Sequence, residues 1–149
     1  MKITLRSAVK DDCSRLMELV KELAEFEREP DAVTVDYQHF VESGFGERPV
    51  WWAWVAEVDG RIEGFALYYI RYSTWKGQRL YLEDLIVTEA MRGKGLGKML
   101  FEKLLSITKE LGYSGMVWQV LDWNKPAIEF YKKYGAKLDN GWMNCSVEV

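Results

Sequence analysis

One stretch, residues 80–100, constrains the fold of this chain more than any other. It opens with an apolar, β-prone run that ends at Thr88, and it continues through the glycine-rich segment RGKGLG at 92–97. A run with helical apolar spacing follows from Leu100. This order predicts a strand, a glycine loop and a helix start, and the rest of the chain is organised around that unit.

The glycine loop has the properties of an anion-binding site. The first turn of a helix presents unpaired N–H groups and the positive end of the helix dipole, and both attract anions. Glycines remove side chains that would keep a phosphate away from the backbone, and neighbouring cations add positive charge. The residues concerned are Gly93, Gly95, Gly97, Arg92, Lys94 and Lys98. The loop therefore predicts a site for a pyrophosphate.

Two better-known phosphate loops do not fit this spacing. A nucleotide-triphosphatase loop ending at Gly97-Lys98 would need glycine at 92 and Ser or Thr at 99, where the chain has Arg92 and Met99. The dinucleotide fingerprint needs its third glycine at position 98, which is Lys98. A flexible turn remains an alternative for the glycines alone. The preceding strand, the following helix and the three cations favour the anion site.

Size and composition narrow the class of protein. The 149 residues fit one domain, 1–149, and the net charge of −3 argues against a general binder of nucleic acids or anionic membranes. No stretch approaches the ~20 apolar residues that span a bilayer, so we expect a cytoplasmic protein. Cys13 and Cys145 lie far apart and His39 is the single histidine, which predicts reduced thiols and no structural metal.

Apolar periodicity predicts a mixed α/β fold. Strands are expected at 3–8, 51–58, 61–72, 80–88, 115–121 and 141–149, and helices at 13–26, 35–42, 100–111 and 127–134. Asp59-Gly60 predicts an antiparallel hairpin, whereas strand 80–88, a helix and strand 115–121 imply a parallel pair with a crossover connection. The aromatic residues of the hairpin are expected to pack in the sheet and core, and His39 to lie on the surface or in packing.

Several segments together resemble one protein family. The pattern Arg-x-x-Gly-x-Gly between a strand and a helix resembles the acetyl-CoA loop of the GNAT N-acetyltransferases. Further motifs resemble the spermidine/spermine and thialysine N-acetyltransferase branch of that family, and the resemblance runs from about residue 5 to 142. These motifs are LYLEDLIV at 80–87, VLDWNKPAIEFYKKYGA at 120–136, KELAEFE at 21–27 and ESGFGERP at 42–49.

The resemblance implies a single-domain GNAT fold and acetyl-CoA as co-substrate. That fold has a mostly antiparallel sheet with a splayed central parallel pair and flanking helices. In the family, backbone amides of the splayed strand hold the thioester and its oxyanion, and the glycine loop binds the pyrophosphate. The implied cofactor-binding residues are Leu85, Ile86, Val87, Arg92, Gly93, Lys94, Gly95, Leu96, Gly97, Lys98, Asn124, Lys125, Pro126, Ala127 and Tyr131.

Acetyl transfer to an amine needs a base and an acid, and each has a candidate. An ammonium group has no lone pair, so a base must remove a proton from an amine that titrates near ~10. Glu83 is the candidate base, acting through a bound water. Strict alternation puts Glu83 and Asp84 on opposite faces, so both reach one pocket only if the strand bulges, as it does in the family. Tyr131 is the candidate acid for the departing thiolate.

The resemblance also indicates an amine pocket. It maps Phe26, Glu27, Trp75, Glu83, Asp84 and Trp118 to the pocket wall. Two acids of the polyamine acetylators are replaced here by Ser73 and Asn140, which would hold a long polycation less well. The segment VLDWN at 120–124 favours the thialysine-type members, whose substrates are small amino-acid-like amines. The family also implies a homodimer.

Two alternatives remain open from the sequence. One is a non-catalytic module that binds or senses acyl-CoA on the same fold, although such a module would need neither Glu83 nor Tyr131. The other is an acetyltransferase that acts on protein amines, because the loops at 26–46 and 72–78 decide how wide the pocket is.

Overall fold

The computed structural model describes all 149 residues. The strands are β1 Ile3–Ser7, β2 Trp52–Val58, β3 Arg61–Ser73, β4 Gly77–Val87 and β5 Met116–Val117. The helices are α1 Cys13–Phe26, α2 Tyr37–Phe45, α3 Leu96–Glu110 and α4 Lys125–Lys132, and short 3₁₀ turns cover Lys10–Asp12, Pro30–Ala32 and Glu89–Met91. None of these helices combines the length and apolarity needed to cross a membrane.

The chain divides into two compact units. Residues Met1–Trp118 contain the whole sheet with α1, α2 and α3, and residues Gln119–Val149 contain α4. The sheet has the strand order β1-β2-β3-β4-β5, in which all neighbours are antiparallel except the pair β4 and β5. Helix α3 lies between these two parallel strands in the chain. The predicted mixed α/β fold, with its hairpin and its parallel pair, is confirmed.

Helices cover both faces of the sheet. Helices α1 and α2 pack their apolar side chains on the face that carries Val55, Phe65 and Leu67. Gly64 points to the opposite face because successive strand residues alternate, and a Cβ there would lie 3.5 Å from Leu100 of α3. The sheet is therefore buried on both sides, which explains why β2 and β3 contain almost continuous apolar runs.

The second helix is longer than the sequence predicts. It was expected at 35–42 with a turn at 44–46, but it runs from Tyr37 to Phe45, and Asp36 caps it by accepting the His39 N–H at 3.1 Å. The glycine at position 44 does not end the helix, because the indole of Trp51 lies where a Cβ of Gly44 would be. Tertiary packing, which the local pattern does not encode, thus extends α2.

The predictions of two strands near the C-terminus are mostly wrong. The strand predicted at 115–121 is only Met116–Val117, and the predicted strand at 141–149 is absent. A β-prone segment becomes a strand only where a neighbour accepts and donates its ladder hydrogen bonds. Gly141 instead donates its N–H to Asp139 at 2.8 Å, and Gln119 donates to Asn144 at 2.9 Å, so local and side-chain bonds replace a ladder.

Candidate active site

The centre of the candidate site is a β-bulge in β4. In the register with β3, Leu67 lies opposite Asp84 and Tyr68 lies opposite Leu82, so Glu83 is the extra residue of β4. The Tyr69 hydroxyl donates to Glu83 Oε1 at 3.1 Å. Because Leu67 and Tyr69 share one face of β3, the bulge brings Glu83 and Asp84 to that same face.

A third carboxyl joins this pair. Glu27 follows the last residue of α1 as its C-cap, and we call Glu27, Glu83 and Asp84 the acidic cluster. Burial, then Glu83, then Glu27 raise the pKa of Asp84 to about 7, and burial raises the pKa of Glu27. Asp84 therefore titrates near neutral pH beside two further carboxyl groups, a combination suited to attracting a cation and accepting a proton.

Two stacked tyrosines continue the same face away from the acidic cluster. Tyr69 and Tyr81 lie opposite each other in the register, and their ring centroids are 5.1 Å apart. Burial and the charge of Glu83 raise the pKa of both phenols, so they are protonated at neutral pH and Tyr69 acts as the donor to Glu83. A cavity of about 280 Å³ between α2 and β3 is lined in part by His39, Leu67 and Tyr69.

One edge of β4 is left open beside this face. Strand β5 pairs with β4 only at Leu80 and Tyr81, so the stretch from Leu82 to Val87 has no strand on that side. Peptide groups of the predicted thioester-binding residues, Leu85, Ile86 and Val87, lie in that stretch. The parallel pairing therefore stops at Tyr81, which leaves backbone donors of β4 that no ladder uses.

The glycine loop follows directly and has room for an anion. Gly93 and Gly95 have φ values of 79° and 88°, and no atom lies within 4 Å of a Cβ at either position. The first intrahelical bond of α3 runs from Met99 N–H to the Gly95 carbonyl at 3.0 Å, which leaves the N–H groups of Leu96, Gly97 and Lys98 without an intrahelical acceptor. An open cradle of N–H groups at a helix N-terminus fits a pyrophosphate.

Neighbouring side chains fix the loop and charge it. Glu22 of α1 accepts from the Thr88 hydroxyl at 2.9 Å and from the Glu89 N–H at 3.2 Å, which holds the turn that follows β4. The Arg92 guanidinium lies 4.9 Å from the centre of the Phe26 ring and donates from Nε to the Val87 carbonyl at 3.3 Å. Lys94 and Lys98 add further positive charge around the cradle.

The remaining predicted cofactor residues lie in the Gln119–Val149 unit. Asn124 caps α4 by accepting the Ala127 N–H at 3.4 Å, and Pro126 stands in the first turn, where its missing N–H costs nothing. Lys125 begins the same helix. Tyr131 is half-buried in the last turn, with its ring 5.4 Å from that of Phe130.

Two predicted pocket tryptophans lie apart from the acidic cluster. Trp75 stands in the turn between β3 and β4 with 86% of its surface exposed, and its backbone N–H donates to the Ser73 hydroxyl. Trp118 packs edge-on against Phe101 of α3, with 5.2 Å between ring centroids. The structure therefore brings together Glu27, Glu83 and Asp84, and it places Phe26 against the glycine loop.

Sequence reasoning missed the part played by Tyr69. It was expected only to pack in the sheet, yet its hydroxyl orients the candidate base. The available signal was weak, because the contact depends on the residue that the bulge inserts and on long-range register. No group of three or more His, Cys, Asp and Glu side chains is placed to hold a metal ion.

The fold and the candidate site share one feature: a bulged strand that leads directly into an anion cradle at a helix N-terminus. The acetyltransferase (GNAT) family model matches residues 13–136. The chain therefore belongs to the GNAT acetyltransferase family and is an N-acetyltransferase.

Sequence and structural similarity to individual acetyltransferases agrees with this family assignment. The thialysine N-epsilon-acetyltransferase of Bos taurus is 37% identical over 143 residues, which cover 91% of this chain and 84% of that protein. The spermidine/spermine N(1)-acetyltransferase-like protein 1 of Homo sapiens is 34% identical over 93% of this chain, although this covers only 21% of that protein. The crystal structure of a possible acetyltransferase from Clostridium difficile 630 has the same fold, with a TM-score of 0.80 at 21% identity and 100% coverage of both chains.

Replacing Asp84 with Asn should remove a pH-dependent cost to stability. The folded protein keeps the Asp84 proton up to about pH 7, whereas the unfolded chain loses it near 3.8, so the free energy of unfolding falls as pH rises between these values. Above pH 7 the full cost is present. We expect the free energy of unfolding of Asp84→Asn to exceed that of wild type by about 2 kcal/mol at high pH, after allowance for partial exposure. Near pH 4 the two free energies should differ little.

Urea unfolding at a series of pH values measures this difference. Asp31→Asn is the matched control, because Asp31 is exposed in the turn after α1 and should change little at any pH. If the difference in free energy of unfolding between Asp84→Asn and wild type stays constant from pH 4 to pH 8, the pKa of Asp84 is not raised in the folded protein.

Proposed function

We propose that this protein transfers an acetyl group from acetyl-CoA to the primary amine of a small cationic metabolite, either a lysine-like amine or a polyamine. The observation that carries the proposal is the bulge that puts Glu83 and Asp84 on one face, beside the open edge of β4 and the glycine loop. The names of the relatives, thialysine and spermidine/spermine acetyltransferases, support the choice of an amine acceptor.

When bound, acetyl-CoA supplies an activated acetyl thioester. The free N–H groups of Leu96, Gly97 and Lys98 would hold its pyrophosphate, helped by the charges of the loop. Open-edge peptide groups of residues 85–87 would hold its arm and its acetyl carbonyl. In the GNAT family, the positions of Asn124–Ala127 also contact this arm.

The acidic cluster would prepare the acceptor. Its negative charge attracts the cationic amine, and Glu83, held by the Tyr69 hydroxyl, would take a proton from the amine through a water molecule. Asp84, with its pKa near 7, stands next to Glu83 and can share that proton at neutral pH. The amine would then have the free lone pair that attack requires.

The transfer itself would balance as a direct displacement. The amine nitrogen forms a bond to the acetyl carbon, the carbon–sulfur bond breaks, and backbone N–H groups of the open edge stabilise the charge that develops on the carbonyl oxygen. Tyr131 would give its proton to the departing thiolate, as the matching tyrosine does in the family. One proton of the ammonium group leaves through Glu83. The second, which the nitrogen loses as the amide forms, would restore the Tyr131 phenol through water, so the products are the amide, the free thiol and one released proton.

The direct test is release of free thiol from acetyl-CoA by the purified protein. The panel should contain lysine, thialysine, ornithine, diamines, spermidine, spermine and a lysine-bearing peptide. We expect turnover with at least one small amine. Turnover with the peptide alone would favour a protein acetyltransferase, and binding of acetyl-CoA without any thiol release would favour a sensing module.

Replacing Gly95 with Val should weaken acetyl-CoA binding by tenfold or more, measured by calorimetry. The new side chain would block the backbone's approach to the pyrophosphate and would strain a residue whose φ is 88°. Gly60→Val is the matched control, because Gly60 also has a positive φ of 84° and open surroundings but lies in the β2–β3 turn. Equal affinity in the two variants would mean that the loop does not bind the coenzyme.

Replacing Tyr131 with Phe should lower kcat by about 10² while leaving acetyl-CoA affinity nearly intact, because only the hydroxyl proton is lost. Steady-state kinetics with the best amine of the panel measure this change. Tyr134→Phe removes the same group three residues away and should keep wild-type turnover. Unchanged turnover in Tyr131→Phe would remove this residue as the acid.

A further inference from the structure

An unusual pair of cations lies on the same sheet face as the acidic cluster. Arg71 of β3 and Arg79 of β4 are directly opposite each other, one step beyond the stacked pair Tyr69 and Tyr81 on that face. Like charges at directly opposed positions of an antiparallel pair destabilise it. The opposed arginines therefore destabilise the pairing of β3 with β4. Destabilising arrangements of this kind are common at functional positions.

Neither arginine has an acidic partner. Each ion pair of the structure involves other residues, and the Arg71 guanidinium lies 5.7 Å from the centre of the Tyr81 ring. Nε of Arg79 is buried without any hydrogen-bond acceptor. Its guanidinium group lies against Gly115, where a Cβ would collide with it, so the backbone of that position makes room for the side chain. A buried donor without an acceptor is rare in folded proteins.

The face therefore has three parts in a row. The acidic cluster is at one end, the two tyrosine rings are in the middle, and the two guanidinium groups are at the other end. Glu83 and Arg79 are separated by about 13 Å of strand, since each residue advances by about 3.3 Å. An extended lysine-like molecule measures roughly 7 Å from its terminal amine to its carboxylate, and the long Glu and Arg side chains can cover the difference.

We propose that Arg71 and Arg79 bind the α-carboxylate of an amino-acid acceptor whose side-chain amine lies at the acidic cluster. This inference rests on the proposed function and narrows it, because a molecule with an amine at one end and a carboxylate at the other matches both ends of the face. Guanidinium groups bind carboxylates with paired, charge-assisted hydrogen bonds. A polyamine, which is cationic along its whole length, would instead be repelled by the arginine pair.

The test compares acceptors that differ only in the carboxylate. Lysine and cadaverine form one such pair, and ornithine and putrescine form another. The measured quantity is the ratio of kcat/KM between the carboxylate-bearing and the carboxylate-free member of each pair. We expect wild type to favour the amino acids by tenfold or more, and Arg71→Gln/Arg79→Gln to bring the ratio close to one, mainly through a higher KM for the amino acids.

Matched variants separate a binding role from a structural one. Arg71→Lys/Arg79→Lys keeps both charges and should recover part of the preference, while Arg61→Gln removes an exposed guanidinium from the far end of β3 and should keep the wild-type ratio. If the double Gln variant does not fold, the single variant Arg71→Gln, at an exposed position, carries the test with a smaller loss of preference.

The possible failures are distinguishable. Turnover of amines with a wild-type ratio in the Gln variants would overturn the carboxylate site and leave the proposed function intact. A wild-type enzyme that favours the diamines would overturn it as well. Absence of thiol release with every amine would overturn the proposed function and, with it, this inference.

Discussion

Between Leu82 and Asp84, β4 contains one residue more than the strand it pairs with, and the candidate site depends on that extra residue. Without it, Glu83 and Asp84 would point to opposite faces of the sheet, one of them under α3. With it, both carboxyls share the face that carries Tyr69, and Glu83 and Glu27 both add to the burial that raises the pKa of Asp84. A local irregularity of the backbone thus creates the electrostatic character of the whole face.

The same strand also leads into the anion cradle that we propose for the coenzyme. Strand β4 extends six residues beyond its last pairing with β5, from Leu82 to Val87, and then passes into the glycine loop. Contacts from α1 hold this transition at two points: Glu22 binds the turn after β4, and Phe26 stacks on Arg92. Residues near the end of α1 therefore support the acidic cluster and the anion cradle at once. In the proposed function, this arrangement would couple the acceptor side of the site to the coenzyme side.

Charge is distributed unevenly over the sheet face that carries the acidic cluster. Carboxyl groups lie at one end, two protonated phenols in the middle and two guanidinium groups without acidic partners at the other end. A net charge of −3 says nothing about such a pattern, because it sums over all surfaces. The order of charges along two neighbouring strands is what would select an acceptor by the charge at each of its ends.

The sequence alone determined the local features of this protein. The loop RGKGLG, the periodicity of α1 and α3, the hairpin at Asp59-Gly60 and the cap at Asn124 are encoded within a few residues, so each could be predicted. Tertiary structure decided the rest. The extension of α2 over Gly44 needs Trp51, the short β5 and the missing C-terminal strand depend on the pairing partners available, and the pairs Tyr69–Glu83 and Arg71–Arg79 depend on strand register. Register and bulges are set by packing between distant segments, and no local pattern contains that information.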